Sequence, residues 1–126
     1  MPTDLDERKQ TIRRQAHAAR NALENKDELS RRIVAKFLAL PEYADAETVM
    51  FYVDVRSEVR TRHALPEALD SGKRIVVPYC VAGETLELFH LERMDELETG
   101  MYRILEPNEE LRRRPQKRVP VEELDL

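Results

Sequence analysis

Between Val49 and Val77 the chain carries two short, almost wholly apolar runs, Val49-Met50-Phe51-Tyr52-Val53 and Ile75-Val76-Val77, with one helix-length segment between them. Runs this short and this rich in β-branched and aromatic residues suit strands covered on both faces, as in a parallel sheet. The intervening Ala64-Leu65-Pro66-Glu67-Ala68-Leu69 has helical spacing. Pro66 fits only a first turn, so that helix starts near His63 to Leu65. Gly72 stands where a helix end takes a residue of positive φ, and Pro78 closes the second run. Strand, helix and strand within about 30 residues make a βαβ unit, a right-handed crossover between parallel strands. Two strands alone do not make a stable sheet. The alternation of Leu86, Leu88 and His90 with Glu87, Phe89 and Leu91 supplies a third.

Upstream the period is helical. Leu5, Ile12, Ala16, Ala19 and Leu23 form one stripe, with Thr3 or Asp4 as N-cap. After Asn25, a second stripe runs through Leu29, Ile33, Phe37 and Leu40, widened by Val34 and Leu38. Pro41 ends it. Phe51 and Tyr52 read as core. Downstream, Leu97 to Leu105 reads as a helical turn and a loop with Gly100 at the bend. Residues 106–120, with Pro107, Pro115, Pro120 and Arg112-Arg113-Arg114, read as an irregular connector. Val121 to Leu126 opens a new apolar segment, so the chain reads as truncated there.

The chain has 126 residues, the size of one domain. It is 41% hydrophobic and 37% charged with a net charge of only −4, which excludes the high-charge, low-hydrophobicity signature of disorder. Cys80 is the only cysteine, so neither an intrachain disulfide nor a cysteine-based zinc site can form. The N-terminus lacks the basic and apolar regions of a secretory signal, and no run approaches a membrane span. A soluble, cytoplasmic α/β protein is expected.

Lys9 and Arg13 are four apart and share a helix face. Together they can hold a polyphosphate, although a solvated basic face is the plainer reading of the spacing. Glu58 follows the carboxyl end of the first strand, where open α/β sheets bind ligands. A carboxylate there can accept hydrogen bonds from a substrate's N–H groups; a salt bridge with Arg56, Arg60 or Arg62 fits equally. Tyr79, at the end of the second strand, can stack on a planar ring or simply sit at the rim. His17, His63 and His90 have no metal-ligand spacing, and the three glycines, at positions 72, 83 and 100, form no phosphate loop.

Four short segments, in order, carry a resemblance. They are Lys9-x-x-x-Arg13 with Arg20; Tyr52 with Ser57-Glu58-Val59-x-Thr61; Gly72-Lys73-x-Ile75-Val76-Val77-Pro78; and Gly100-Met101-Tyr102-x-Ile104-x-Glu106-Pro107. In this order they resemble the N-terminal part of the 5-formyltetrahydrofolate cyclo-ligase family, over nearly the whole chain. The resemblance implies a three-layer α/β/α sandwich with a mainly parallel sheet. It also implies conversion of 5-formyltetrahydrofolate and ATP, with Mg2+, into 5,10-methenyltetrahydrofolate, ADP and phosphate. In that reaction the formyl oxygen takes the γ-phosphoryl group, the nitrogen at position 10 attacks the activated carbon, and phosphate leaves. Lys9 and Arg13 match the family's ATP-phosphate contacts and Glu58 its folate-contacting glutamate; Tyr79 is a further candidate on the folate side. A monomer is expected for the full-length enzyme.

The family continues into a glycine-rich basic segment that cradles the nucleotide and helps hold magnesium. The 126 residues contain nothing like it, and Leu124-Asp125-Leu126 resembles the first residues of the strand before it. The chain by itself is therefore expected not to turn over. Two other readings stand beside the enzyme: a non-catalytic module that binds a phosphate ligand or a protein partner, and a nucleic-acid binder using the basic first helix and the Arg112 to Arg118 cluster. Net acidity argues against the second of these.

Overall fold

The structure, a computed structural model, describes residues 3–81, 85–100 and 103–126. Gly83, and Met101 and Tyr102 of the fourth resembling segment, lie outside the described residues. The fold is α/β. Helices α1 (Asp4–Ala22), α2 (Lys26–Leu38) and α3 (Pro41–Asp45) precede strand β1 (Thr48–Met50). Helix α4 (Leu65–Asp70) leads to β2 (Arg74–Val81), followed by β3 (Thr85–Leu91). Strands β4 (Leu97–Thr99) and β5 (Leu105–Pro107) and the one-turn helix α5 (Glu109–Arg112) complete the order.

The main sheet runs β1-β2-β3. The β1–β2 pair is parallel, with Val49 opposite Ile75, which makes β1-α4-β2 the expected βαβ unit. The β2–β3 pair is antiparallel, with Val77 opposite Phe89. Among the described residues the sheet is therefore mixed, with one pair of each kind.

One sheet face carries the main core. Val49, Phe51, Val53, Ile75, Val77, Phe89 and Leu91 alternate inward and pack against Val34, Tyr43, Leu65 and Ala68 of the helices. The other face is thinner: Val76, Leu88 and Val119 are buried, with Met50 and Leu124 beside them. Its cover is the C-terminal segment, with 3-10 turns at Pro115–Lys117 and Val121–Glu123, rather than an α-helix.

Several sequence expectations change in detail. Strand β2 passes through Pro78, which pairs in register with Leu88. The carbonyl of Val76 accepts from Phe51 N–H at 2.8 Å, so it points toward β1. Backbone groups alternate sides along a strand, so Pro78 also faces that side, beyond the end of β1, where the missing N–H leaves no partner unpaired. The first strand is not covered on both faces, because Tyr52 is 43% exposed while Phe51 is 5% exposed. On α2 the deepest residues are Ser30 and Val34, and Ile33 is half exposed, so the buried stripe is turned from the expected one. The span from Leu97 to Leu105 belongs to a hairpin, with Leu97 opposite Pro107.

Helix α1 has a complete capping box on Thr3 and Asp6 but no buried residue, and Leu5 and Ile12 are exposed. Its stripe finds no cover among the described residues. Residues 106–120 form short ordered pieces anchored by Pro107, Leu111 and Val119, all buried. Beyond them, Leu126 accepts from Met50 N–H at 2.8 Å and donates to the Thr48 carbonyl at 3.3 Å, flanking Val49 on the edge opposite β2. The Asp125 carboxylate accepts from the N–H groups of Glu47 and Thr48, both at 2.9 Å, which lowers its pKa.

Phe89 is fully buried in the main core, and Phe89→Ala should destabilise the fold by about 3–5 kcal/mol in denaturant titration. His90 supplies a pH test. Burial first, then Lys117 and Arg74, pushes its pKa below 6.5. The unfolded chain therefore takes up the proton first. Stability should be free of this penalty above about pH 6.5 and should fall as pH drops from there to the folded-state pKa. His90→Gln should flatten that part of the melting-temperature profile.

Candidate active site

The loop from Asp54 to Arg62 leaves the carboxyl end of β1 and returns to the same edge. Its two ends are tied by Asp54, which is 1% exposed. The Asp54 Oδ1 accepts from the N–H of Arg62 at 2.9 Å, and its two carboxylate oxygens accept from Arg62 Nε at 3.1 Å each. Arg62 Nη2 also donates to the Asp54 carbonyl at 2.8 Å. Thr61 completes the closure. Its hydroxyl donates to the Tyr52 carbonyl at 2.6 Å and accepts from Asp54 N–H at 3.1 Å, standing in for a neighbouring strand.

Glu58 sits inside this frame. Its Oε1 accepts from Val55 N–H at 2.9 Å, and its own N–H donates to the Val55 carbonyl at 3.2 Å. One carboxylate oxygen thus holds the turn, and the other has no protein donor among the described residues. The resembling Glu-Val-x-Thr segment has local causes: glutamate closes the turn and threonine docks it on the strand. From α2, the buried Ser30 hydroxyl accepts from Arg60 N–H at 3.0 Å and pins the far side of the loop.

Beside this loop lies a cavity of about 320 Å3, lined by Ile33, Val34, Phe37, Phe51, Tyr52 and Val59 among others. Its walls are apolar, and Glu58 precedes the lining Val59. The Tyr52 hydroxyl donates to the Val59 carbonyl at 3.2 Å. Burial raises the Tyr52 pKa, and the charges of Glu58 and Asp54 raise it further, while Arg20 opposes them. Arg20 thus belongs electrostatically to this corner. It contacts His17 Nδ1 through Nη2 at 2.8 Å, and its buried Nε has no partner.

The sequence candidates do not all meet here. Glu58 and Tyr52 share the corner. Lys9 and Arg13 lie on the exposed face of α1, about 16 Å and about 10 Å from Arg20 along the helix at 1.5 Å per residue. Neither has a carboxylate partner among the described residues. Tyr79 is on β2, half-buried, with the Arg112 guanidinium 4.3 Å over its ring and Arg112 Nη1 donating to its hydroxyl at 3.2 Å. A planar ligand would have to take the opposite face of that ring. No group of three or more His, Cys, Asp or Glu side chains suited to a metal ion occurs among the described residues. The donors present here do not fit Mg2+. Two unpaired cations one helical turn apart do fit phosphate oxygens.

Sequence reasoning missed Asp54, Ser30 and Arg62. The Asp54–Arg62 pair spans only eight residues, but nothing in its spacing sets it apart from the other charged pairs of this loop.

Fold and site together define an α/β protein with a carboxylate-bearing loop over an apolar cavity at a strand end, where open α/β sheets bind small molecules. Residues 5–126 match the 5-formyltetrahydrofolate cyclo-ligase family, and the chain belongs to it. A probable 5-formyltetrahydrofolate cyclo-ligase of Schizosaccharomyces pombe is 30% identical over 89 residues, 69% of this chain and 44% of that protein. The solved structure of Aquifex aeolicus 5,10-methenyltetrahydrofolate synthetase superposes with a TM-score of 0.75 at 25% identity, covering 92% of this chain and 57% of that one. The chain spans about half the length of these relatives.

Replacing Thr61 by valine removes both hydroxyl bonds at nearly constant volume. Thr61→Val should destabilise the protein by roughly 1–3 kcal/mol. It should also speed amide exchange at Asp54, measurable by hydrogen exchange.

Proposed function

We propose that this chain forms the folate-side part of a 5-formyltetrahydrofolate cyclo-ligase, acting in the ATP-dependent conversion of 5-formyltetrahydrofolate to 5,10-methenyltetrahydrofolate. The observation that carries this reading is the Glu58 turn: one carboxylate oxygen has no protein donor among the described residues, and the next residue, Val59, lines an apolar cavity of about 320 Å3. A pterin is planar and apolar on its faces, with several N–H donors on one edge. The cavity suits the faces and Glu58 suits the edge. Tyr79, on the neighbouring strand, would offer its uncovered ring face on the same side of the bound folate.

Lys9 and Arg13 would hold the phosphates of ATP. Positive charge there offsets the charge that builds on the transferring phosphoryl group. The charge would act at the γ-phosphate as the formyl oxygen attacks it, and again as phosphate leaves on ring closure. Magnesium finds no donor set among the described residues. The 126 residues also contain no glycine-rich phosphate cradle. By this reading the chain binds folate but does not complete the reaction alone, and the full-length enzyme acts as a cytoplasmic monomer.

The test is calorimetric titration of the 126-residue chain with 5-formyltetrahydrofolate, alongside an assay for methenyl product with ATP and magnesium. Folate should bind, and Glu58→Gln should weaken binding by about ten-fold, the scale of one charged hydrogen bond. No product should form. Folate affinity unchanged in Glu58→Gln would remove the assigned role, and ATP-dependent product from this chain would overturn the claim of inactivity.

A further inference from the structure

A second cavity, of about 460 Å3, opens on the other flank of the same loop and is lined by Val55, Arg56, Arg62 and Arg103. Three arginines line it and no acidic residue does, in a chain whose net charge is −4. Arg62 has Nε and Nη2 committed to Asp54, which leaves Nη1 for a ligand. Arg56 and Arg103 have no carboxylate partner among the described residues. Both adopt left-handed backbone, at φ 56° and φ 62°, the only non-glycine residues among those described to do so. A branched or long side chain is rarely held there, and such outliers gather at ligand sites.

Asp54 offsets the charge of Arg62, whereas Arg56 and Arg103 bring two further cations to the cavity without a carboxylate partner among the described residues. The geometry points to an oxyanion site in which Arg56, Arg62 and Arg103 take carboxylate or phosphate groups of a substrate bound at the neighbouring loop. Guanidinium pairs recognise both groups through parallel N–H bonds. The volume is large for one such group, being roughly that of fifteen waters, so two or more anionic groups fit. On the functional reading above, the sources are the glutamyl carboxylates of the folate and the phosphates of the nucleotide. Val55 links the two sites: its N–H holds Glu58, and the residue lines the arginine cavity.

The test uses anions that lack both pterin and adenosine. NMR titration of the 126-residue chain with γ-linked triglutamate, and separately with inorganic pyrophosphate, should shift the amides of Val55, Arg56 and Arg103 and saturate. Tighter binding of triglutamate assigns the site to the folate tail, and tighter binding of pyrophosphate assigns it to nucleotide phosphates. The double variant Arg56→Gly and Arg103→Gly should lose at least ten-fold in affinity. Its melting temperature should hold or rise, because glycine suits the left-handed backbone. No saturable shift with either anion, or undiminished affinity in the double variant, would overturn the site. Anion binding without folate binding would sink only the folate reading, whereas folate binding without anion binding would sink only this one.

Discussion

The buried carboxylate of Asp54 governs the functional end of this molecule. It lies at the carboxyl end of β1 and would be expensive to bury without partners. Its partners come from Arg62, eight residues later, so satisfying the carboxylate forces the chain to turn back. Thr61 then has to meet the strand edge, and its hydroxyl serves the groups that a neighbouring strand would otherwise satisfy. Glu58 is placed as a consequence. Its position follows from closure of the loop and not from any regular element.

The same closure separates two environments on either side of seven intervening residues. Toward α2 the loop presents Val59 and the Tyr52 ring to an apolar cavity. Toward the hairpin loop it presents Arg56 and Arg62. Asp54 and Asp27 draw Arg62 and Arg60 to fixed positions. The salt bridges are partly exposed, and their value is in orientation more than in stability.

Elements whose pattern repeats were legible in the sequence. Helices α1 and α2, the βαβ unit and β3 have enough residues for their period to show, and the Thr3 cap and Gly72 mark their ends as expected. The hairpin of β4 and β5 was not legible, because three-residue strands give a period-two pattern no length in which to repeat. Pro78 reads as a strand end in the sequence, because a local rule cannot know that its missing N–H faces an edge beyond β1. Glu58 could be found from its place after a strand. The arginine cavity could not, since Arg103 lies 47 positions from Arg56 and an isolated arginine carries no sign of what it faces. Lys9 and Arg13 were legible as a pair, but their distance from the Glu58 corner is a property of where α1 projects.

The parts that shape the Glu58 corner lie close together in sequence. Ser30 and Val34 come from α2, Tyr52 from the end of β1, and Asp54, Glu58 and Thr61 from the loop. The bonds that set the carboxylate are therefore formed within residues 30–62 and need nothing from the hairpin or the C-terminal segment. Lys9 and Arg13 are different, because they are exposed on α1, which has no buried residue. A carboxylate that recognises a rigid ring benefits from a fixed position, since misplacement by an ångström costs a hydrogen bond. Cations that follow a phosphate through transfer act at longer range, and Coulomb attraction tolerates the looser mounting. The contrast between a tied loop and a projecting helix thus matches the different demands of the two kinds of contact.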